Sequence, residues 1–140
     1  MDADDQPVAD RDWLAVVAGS IRLGSGVSFL VAPVAANRLW GDADEPDVTA
    51  SLLLRSMGYR DALIGAMLLR SGLRGGASTP GWFLASGGAD AADLLGGIAN
   101  HSKMSREQRL RGLGGAAVGI GVGIFGAARA RARARGPAPE

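Results

Sequence analysis

The chain has 140 residues, no cysteine, and 15 Lys+Arg against 14 Asp+Glu, for a formal charge of +1. That length suits one domain rather than two, and the near-balance of charge excludes a polyanion binder acting through bulk electrostatics. The absence of thiols excludes disulfide scaffolds, thiolate metal sites and cysteine nucleophiles. A single histidine, His101, is too few for a zinc site without several carboxylates, so no metal or cofactor is expected. Glycine, at 22 residues, is about twice its usual share of roughly 7%.

In chain order, Asp2, Asp4, Asp5, Asp10 and Asp12 make residues 1–12 an acidic head, expected to be disordered. A first charge-poor stretch runs from Trp13 to Leu39, with Pro33 near its end, where a helix kinks or stops. Gly41 to Pro46 is a polar turn. A second stretch, Val48 to Leu69, is closed by Gly72-Leu-Arg-Gly-Gly76. Ser78-Thr79-Pro80 then predicts a helix start, with Thr79 as cap and Pro80 at the first helical position. The third stretch, Pro80 to Ile98, ends at Asn100-His101-Ser102-Lys103, and the fourth spans Gly112 to Ala128. Residues 129–140 form a basic, proline-containing tail, also expected to be disordered.

Each stretch is roughly 17–27 residues, the length a helix needs to cross a hydrocarbon core of about 30 Å. The period-2 alternation of a barrel strand is missing. The expected fold is therefore all-α: a four-helix transmembrane bundle over residues 13–128, in up-down topology with both termini on one side.

The fourth stretch argues hardest for lipid. It has no polar side chain around its circumference and contains seven glycines, each costing about 1 kcal/mol relative to alanine in a water-exposed helix. In a bilayer the backbone has no other partner, so the helix is enforced. Gly115, Gly119 and Gly123 recur every four residues as a small-residue ridge, available within the bundle or to a second protomer. A signal peptide fits the first stretch poorly, because its head is acidic and its apolar run exceeds the usual ~7–15 residues. Trp13, Trp40 and Trp82 fall near segment ends, where interfacial anchoring places them.

Six charges remain inside these stretches: Arg22, Arg55, Arg60, Asp61, Asp90 and Asp93. Three positive and three negative, they can neutralise one another and should face the bundle interior as a polar-core network. Asp90 and Asp93 share one helical face, with Ser86 and Gly97 continuing the seam. Gly58, Asp61 and Gly65 share a face of the second helix. Arg55 and Arg60 point more than about 90° from Asp61, so pairing should run mostly between helices, Arg22 with Asp90 or Asp93 being one match.

Other motifs carry less. Gly121-Val-Gly-Ile-Phe-Gly126 matches a dinucleotide G-x-G-x-x-G but lacks the preceding strand and the later acidic residue, so helix packing explains it better. Asn100-His101-Ser102 is a cheap match to a glycosylation sequon, and His101 reads as a loop residue. The tail arginines Arg129, Arg131, Arg133 and Arg135 have no aromatic interleaving, so a lipid-surface anchor is expected and nucleic acid is not. Together with Arg11, Arg70 and Arg74 they set seven basic residues against Arg38, Lys103, Arg106, Arg109 and Arg111 on the other side. That asymmetry points to cytoplasmic termini of a multi-pass inner-membrane protein.

Arg55-Ser-Met-Gly-Tyr-Arg60-Asp61-Ala-Leu-Ile-Gly65, with Gly88-Ala-Asp90-Ala-Ala-Asp93 after Trp82, resembles a family of small bacterial four-helix membrane proteins catalogued as a domain of unknown function. The resemblance covers residues 13–128 and rests on R-x-x-G-x-R-[DE]-x-x-x-G plus D-x-x-D. It implies integral membrane residence, marks Arg55, Gly58, Arg60, Asp61, Gly65, Asp90 and Asp93 as signature positions, and brings no activity with it. The expected role is structural or accessory rather than enzymatic. The partners are the lipid bilayer and a homo-oligomer or another membrane protein. The alternative is a small proton-linked carrier using Asp61, Asp90 and Asp93.

Overall fold

The structure, a computed structural model, describes residues 10–39 and 45–136. It is all-α among those residues, with helices α1 (Trp13–Val31), α2 (Pro33–Leu39), α3 (Val48–Arg74), α4 (Thr79–Asn100) and α5 (Arg106–Ala134). A 3-10 turn, His101–Lys103, joins α4 to α5, and Arg109–Leu113 within α5 is wound as a π-helix. Trp40, the turn residues 41–44, residues 1–9 of the acidic head and residues 137–140 of the tail lie outside the described residues.

Local chemistry sets most of the boundaries. The Asp12 carboxylate caps α1 by accepting from the Leu14 and Ala15 amides at 3.1 and 3.3 Å, satisfying donors that have no partner in the helix. Asp47 caps α3 through the Ala50 amide at 2.7 Å. Ser105 and Gln108 form a reciprocal capping box that opens α5. Gly75 ends α3 in the left-handed region, φ 60°, which only glycine enters without cost. The helix start near Pro80 lies one residue earlier than expected. Ser78 is the N-cap, without a side-chain bond, and Thr79 is already helical, its hydroxyl donating to the Gly76 carbonyl at 2.7 Å.

Two expected boundaries move. The stretch Trp13 to Leu39 is two helices, because Pro33 has no amide hydrogen to continue the ladder and the chain breaks at Ala32. The basic tail is not separate from the domain: α5 runs on to Ala134, and the head and tail meet. Arg129 Nη1 donates to Asp12 Oδ1 at 2.8 Å, and Arg133 reaches Asp10 at 2.5 Å. Asp12 is buried by this and by its backbone bond to Gly72.

Helices α1 and α3 pack antiparallel through glycines seven residues apart, Gly19 and Gly26 against Gly58, Gly65 and Gly72. The approach is backbone on backbone: a Cβ on Gly26 would sit 2.7 Å from the Gly58 carbonyl oxygen, and one on Gly72 would sit 2.7 Å from Ala15 Cβ. A seven-residue repeat stays on one face of a helix, so the contact persists along the whole pair. Helices α4 and α5 pair the same way. A Cβ on Gly123 would fall 2.7 Å from Gly87 Cα, and Gly126 lies under the Phe83 ring. Ala15, Leu68, Phe83 and Ala127 form a small cluster where the two pairs meet.

The Gly115-Gly119-Gly123 ridge is only partly at this interface. Gly123 is buried and Gly119 half-buried, but Gly115 is exposed. Steps of four advance about 40° around a helix each time, so a four-spaced row drifts off the seam. The stripe that stays on α4 continues instead through Gly126, Ala127 and Ala130.

Candidate functional site

The side chains that bear charge inside the helices meet where the glycines let the backbones close. Arg22 lies between Gly19 and Gly26, and Asp61 lies between Gly58 and Gly65, at the same i+3 position in each frame. Both therefore point from the α1–α3 contact face toward α4, which contributes Ser86, Asp90 and Asp93.

Arg22 is the hub. Its Nη1 donates to Ser86 Oγ at 2.8 Å and to Asp90 Oδ2 at 2.9 Å; its Nη2 donates to Asp90 Oδ1 and Asp61 Oδ1, both at 3.0 Å. The two-pronged grip on Asp90 is the fork geometry that makes guanidinium–carboxylate pairs strong and directional. Asp61 Oδ1 also accepts from Arg60 Nε at 3.2 Å. Arg60 then holds Asp93 with both terminal nitrogens, at 3.0 and 2.7 Å. The result is one connected line, Asp90–Arg22–Asp61–Arg60–Asp93, tying α1, α3 and α4 together.

Burial falls along that line. Arg22, Asp61 and Asp90 are 13–16% exposed, whereas Arg60 is 34% and Asp93 41% exposed. The Arg22 Nε is buried with no acceptor. On the far side, Gly119 of α5 lies against the Asp90 carboxylate, where a Cβ would come within 2.5 Å of Cγ.

Five of the six expected residues are thus brought together, mostly between helices and with Arg22 on Asp90. Arg60 also reaches its sequence neighbour Asp61, because its long side chain curls back around the helix. Arg55 is not in the network. Its Nη1 donates to the Leu30 carbonyl at 2.5 Å, beside the break made by Pro33, so it serves a backbone group near the end of α1. The set that remains has two guanidiniums and three carboxylates.

Gly19, Gly26 and Gly87 are framework residues that the sequence reading passed over. Their signal is a glycine three residues before and four after an embedded charge, G-x-x-R-x-x-x-G on α1 and G-x-x-D-x-x-x-G on α3. His101 sits at the end of α4, exposed, with Nδ1 2.8 Å from the Ile98 carbonyl oxygen. The G-x-G-x-x-G at Gly121 to Gly126 lies within α5, with Gly123 and Gly126 packed on α4.

The outer surface is the reverse of the interior. Val17, Ile21 and Val31 on α1, Leu52 on α3, Leu95 on α4, and Val118, Ile124 and Phe125 on α5 are all exposed. Two helices, α1 and α5, are long and apolar enough to cross a membrane, with mean hydropathies of 1.7 and 1.5 over their best windows.

A family model described as a domain of unknown function, DUF4267, matches residues 19–127. No curated protein and no solved structure matches the chain.

Proposed function

The chain belongs to the DUF4267 family, and we propose that it is an integral, multi-pass membrane protein of structural or accessory type. Its four long helices run up and down across the bilayer, and the Arg/Asp network fixes their register from within. The observation that carries this reading is the inverted polarity: ionised side chains turn inward while valine, isoleucine, leucine and phenylalanine turn outward. A water-soluble bundle places them the other way round. In a bilayer, charges belong inside, paired, and small residues belong at helix contacts. Helices α3 and α4, which carry most of the charge, cross as partners of the more apolar α1 and α5.

The ends support an orientation with both termini in the cytoplasm. Arg11, Arg70, Arg74, Arg131 and Arg135 are exposed around the end where Asp12 bonds to Gly72. At the opposite end Arg109 and Arg111 are drawn onto the carbonyls of Met104 and Leu39, at 3.0 and 2.9 Å. Free arginines near the surface attract anionic lipid, each worth about 1 kcal/mol.

A second reading, a small proton-linked carrier, is favoured by one feature: the network is graded, buried at Asp90 and open at Asp93. Joint neutralisation, Asp90→Asn with Asp93→Asn, separates the two. A structural role predicts loss of accumulation or of folded protein. A carrier predicts a folded variant that no longer moves protons in liposomes. The proposal includes no enzymatic activity, since the network offers no nucleophile paired with a base.

A further inference from the structure

Beside the outer end of the network is an open cleft of about 580 Å³, within the range of small-molecule sites. One wall is apolar, built by Pro46, Leu53, Leu54 and Met57, and the polar groups opposite include Glu45, Arg60 and Asp93. Leu53 is 65% exposed, so that wall continues onto the outer surface of α3 and the cleft opens sideways.

The charges decide what fits. Both terminal nitrogens of Arg60 are committed to Asp93 and its Nε to Asp61. The connected set carries two guanidiniums against three carboxylates, and Glu45 adds a fourth carboxylate at the cleft. An anionic head would face this excess of negative charge; a cationic head lowers it. We propose that the cleft binds a membrane-resident amphiphile with a compact ammonium head, the head between Glu45 and Asp93 and the alkyl chain along Leu53, Leu54 and Met57. The lateral entry rests on the membrane reading given above; the head-group preference does not.

The test uses the full chain purified in neutral maltoside micelles and titrated with dodecyltrimethylammonium, with adducts counted by native mass spectrometry. Dodecyl sulfate and tetramethylammonium serve as comparison probes. The expected result is saturable binding of one dodecyltrimethylammonium, with both comparison probes weaker by about tenfold or more. Glu45→Lys, at an exposed position ahead of α3, should weaken binding by roughly fivefold or more while leaving the melting temperature unchanged. Equal binding of dodecyl sulfate overturns the charge argument, and equal binding of tetramethylammonium overturns the apolar wall. Unchanged affinity in Glu45→Lys removes the site. Membrane residence is read separately, by extraction of native membranes, so either idea can fail alone.

Discussion

Gly119 of α5 lies against the carboxylate of Asp90 on α4, with no room between them for a methyl group. The hub of the network is therefore held on both sides, by Arg22 from α1 and by bare backbone from α5. Gly119→Ala should push Asp90 off Arg22 and destabilise the protein by about 1–3 kcal/mol, as overpacking does. Gly121→Ala, two residues along, meets nothing within 4 Å and should be neutral or mildly stabilising, since alanine is the better helix former by about 1 kcal/mol. Thermal unfolding of the two variants in the same detergent checks the contrast.

Arg22→Leu leaves Asp61 and Asp90 buried without their partner, a loss of about 3–5 kcal/mol. Arg22→Lys should rescue little, because one ammonium cannot reproduce the fork that reaches Ser86, Asp61 and Asp90 together. Asp93→Asn, at the open end, should cost less than about 1 kcal/mol. Equal losses at Arg22 and Asp93 in denaturation measurements would contradict the burial gradient.

Arg55 offers a test of membership. Since it bonds to Leu30 and not to a carboxylate, Arg55→Ala and Asp61→Asn should be additive within about 0.5 kcal/mol. Arg22→Ala and Asp90→Asn should show a clear coupling energy in the same double-mutant cycle.

Asp12 has two separable jobs. Asp12→Ala removes both the α1 cap and the bond to Arg129, for a loss of about 1–2 kcal/mol. Asp12→Asn keeps the capping oxygen and gives up only the ion pair. It should fall between Asp12→Ala and the native chain in a melting series.

The helices and the inward charges were legible in the sequence because charge-poor length and embedded aspartates and arginines are strong one-dimensional signals. What escaped depended on pairing. The i+3 placement of Arg22 between two glycines is visible in the chain, but its meaning needs α3 to carry the same frame in reverse around Asp61. Arg55 looked equivalent to Arg60 until the break at Pro33 showed a carbonyl that it could serve. Gly115 matched a ridge by spacing, but the seam follows a seven-residue path that spacing by four does not trace. The tail looked loose because alternating arginine and alanine has no apolar face long enough to predict docking. Asp10 and Asp12 hold it at a distance in sequence that no local pattern reports.

The account stands on the greasy exterior being immersed in acyl chains. Native membranes washed in alkaline carbonate measure this most directly: the intact chain should remain in the pellet with integral proteins and leave it only with detergent. Quantitative release into the carbonate supernatant would contradict it.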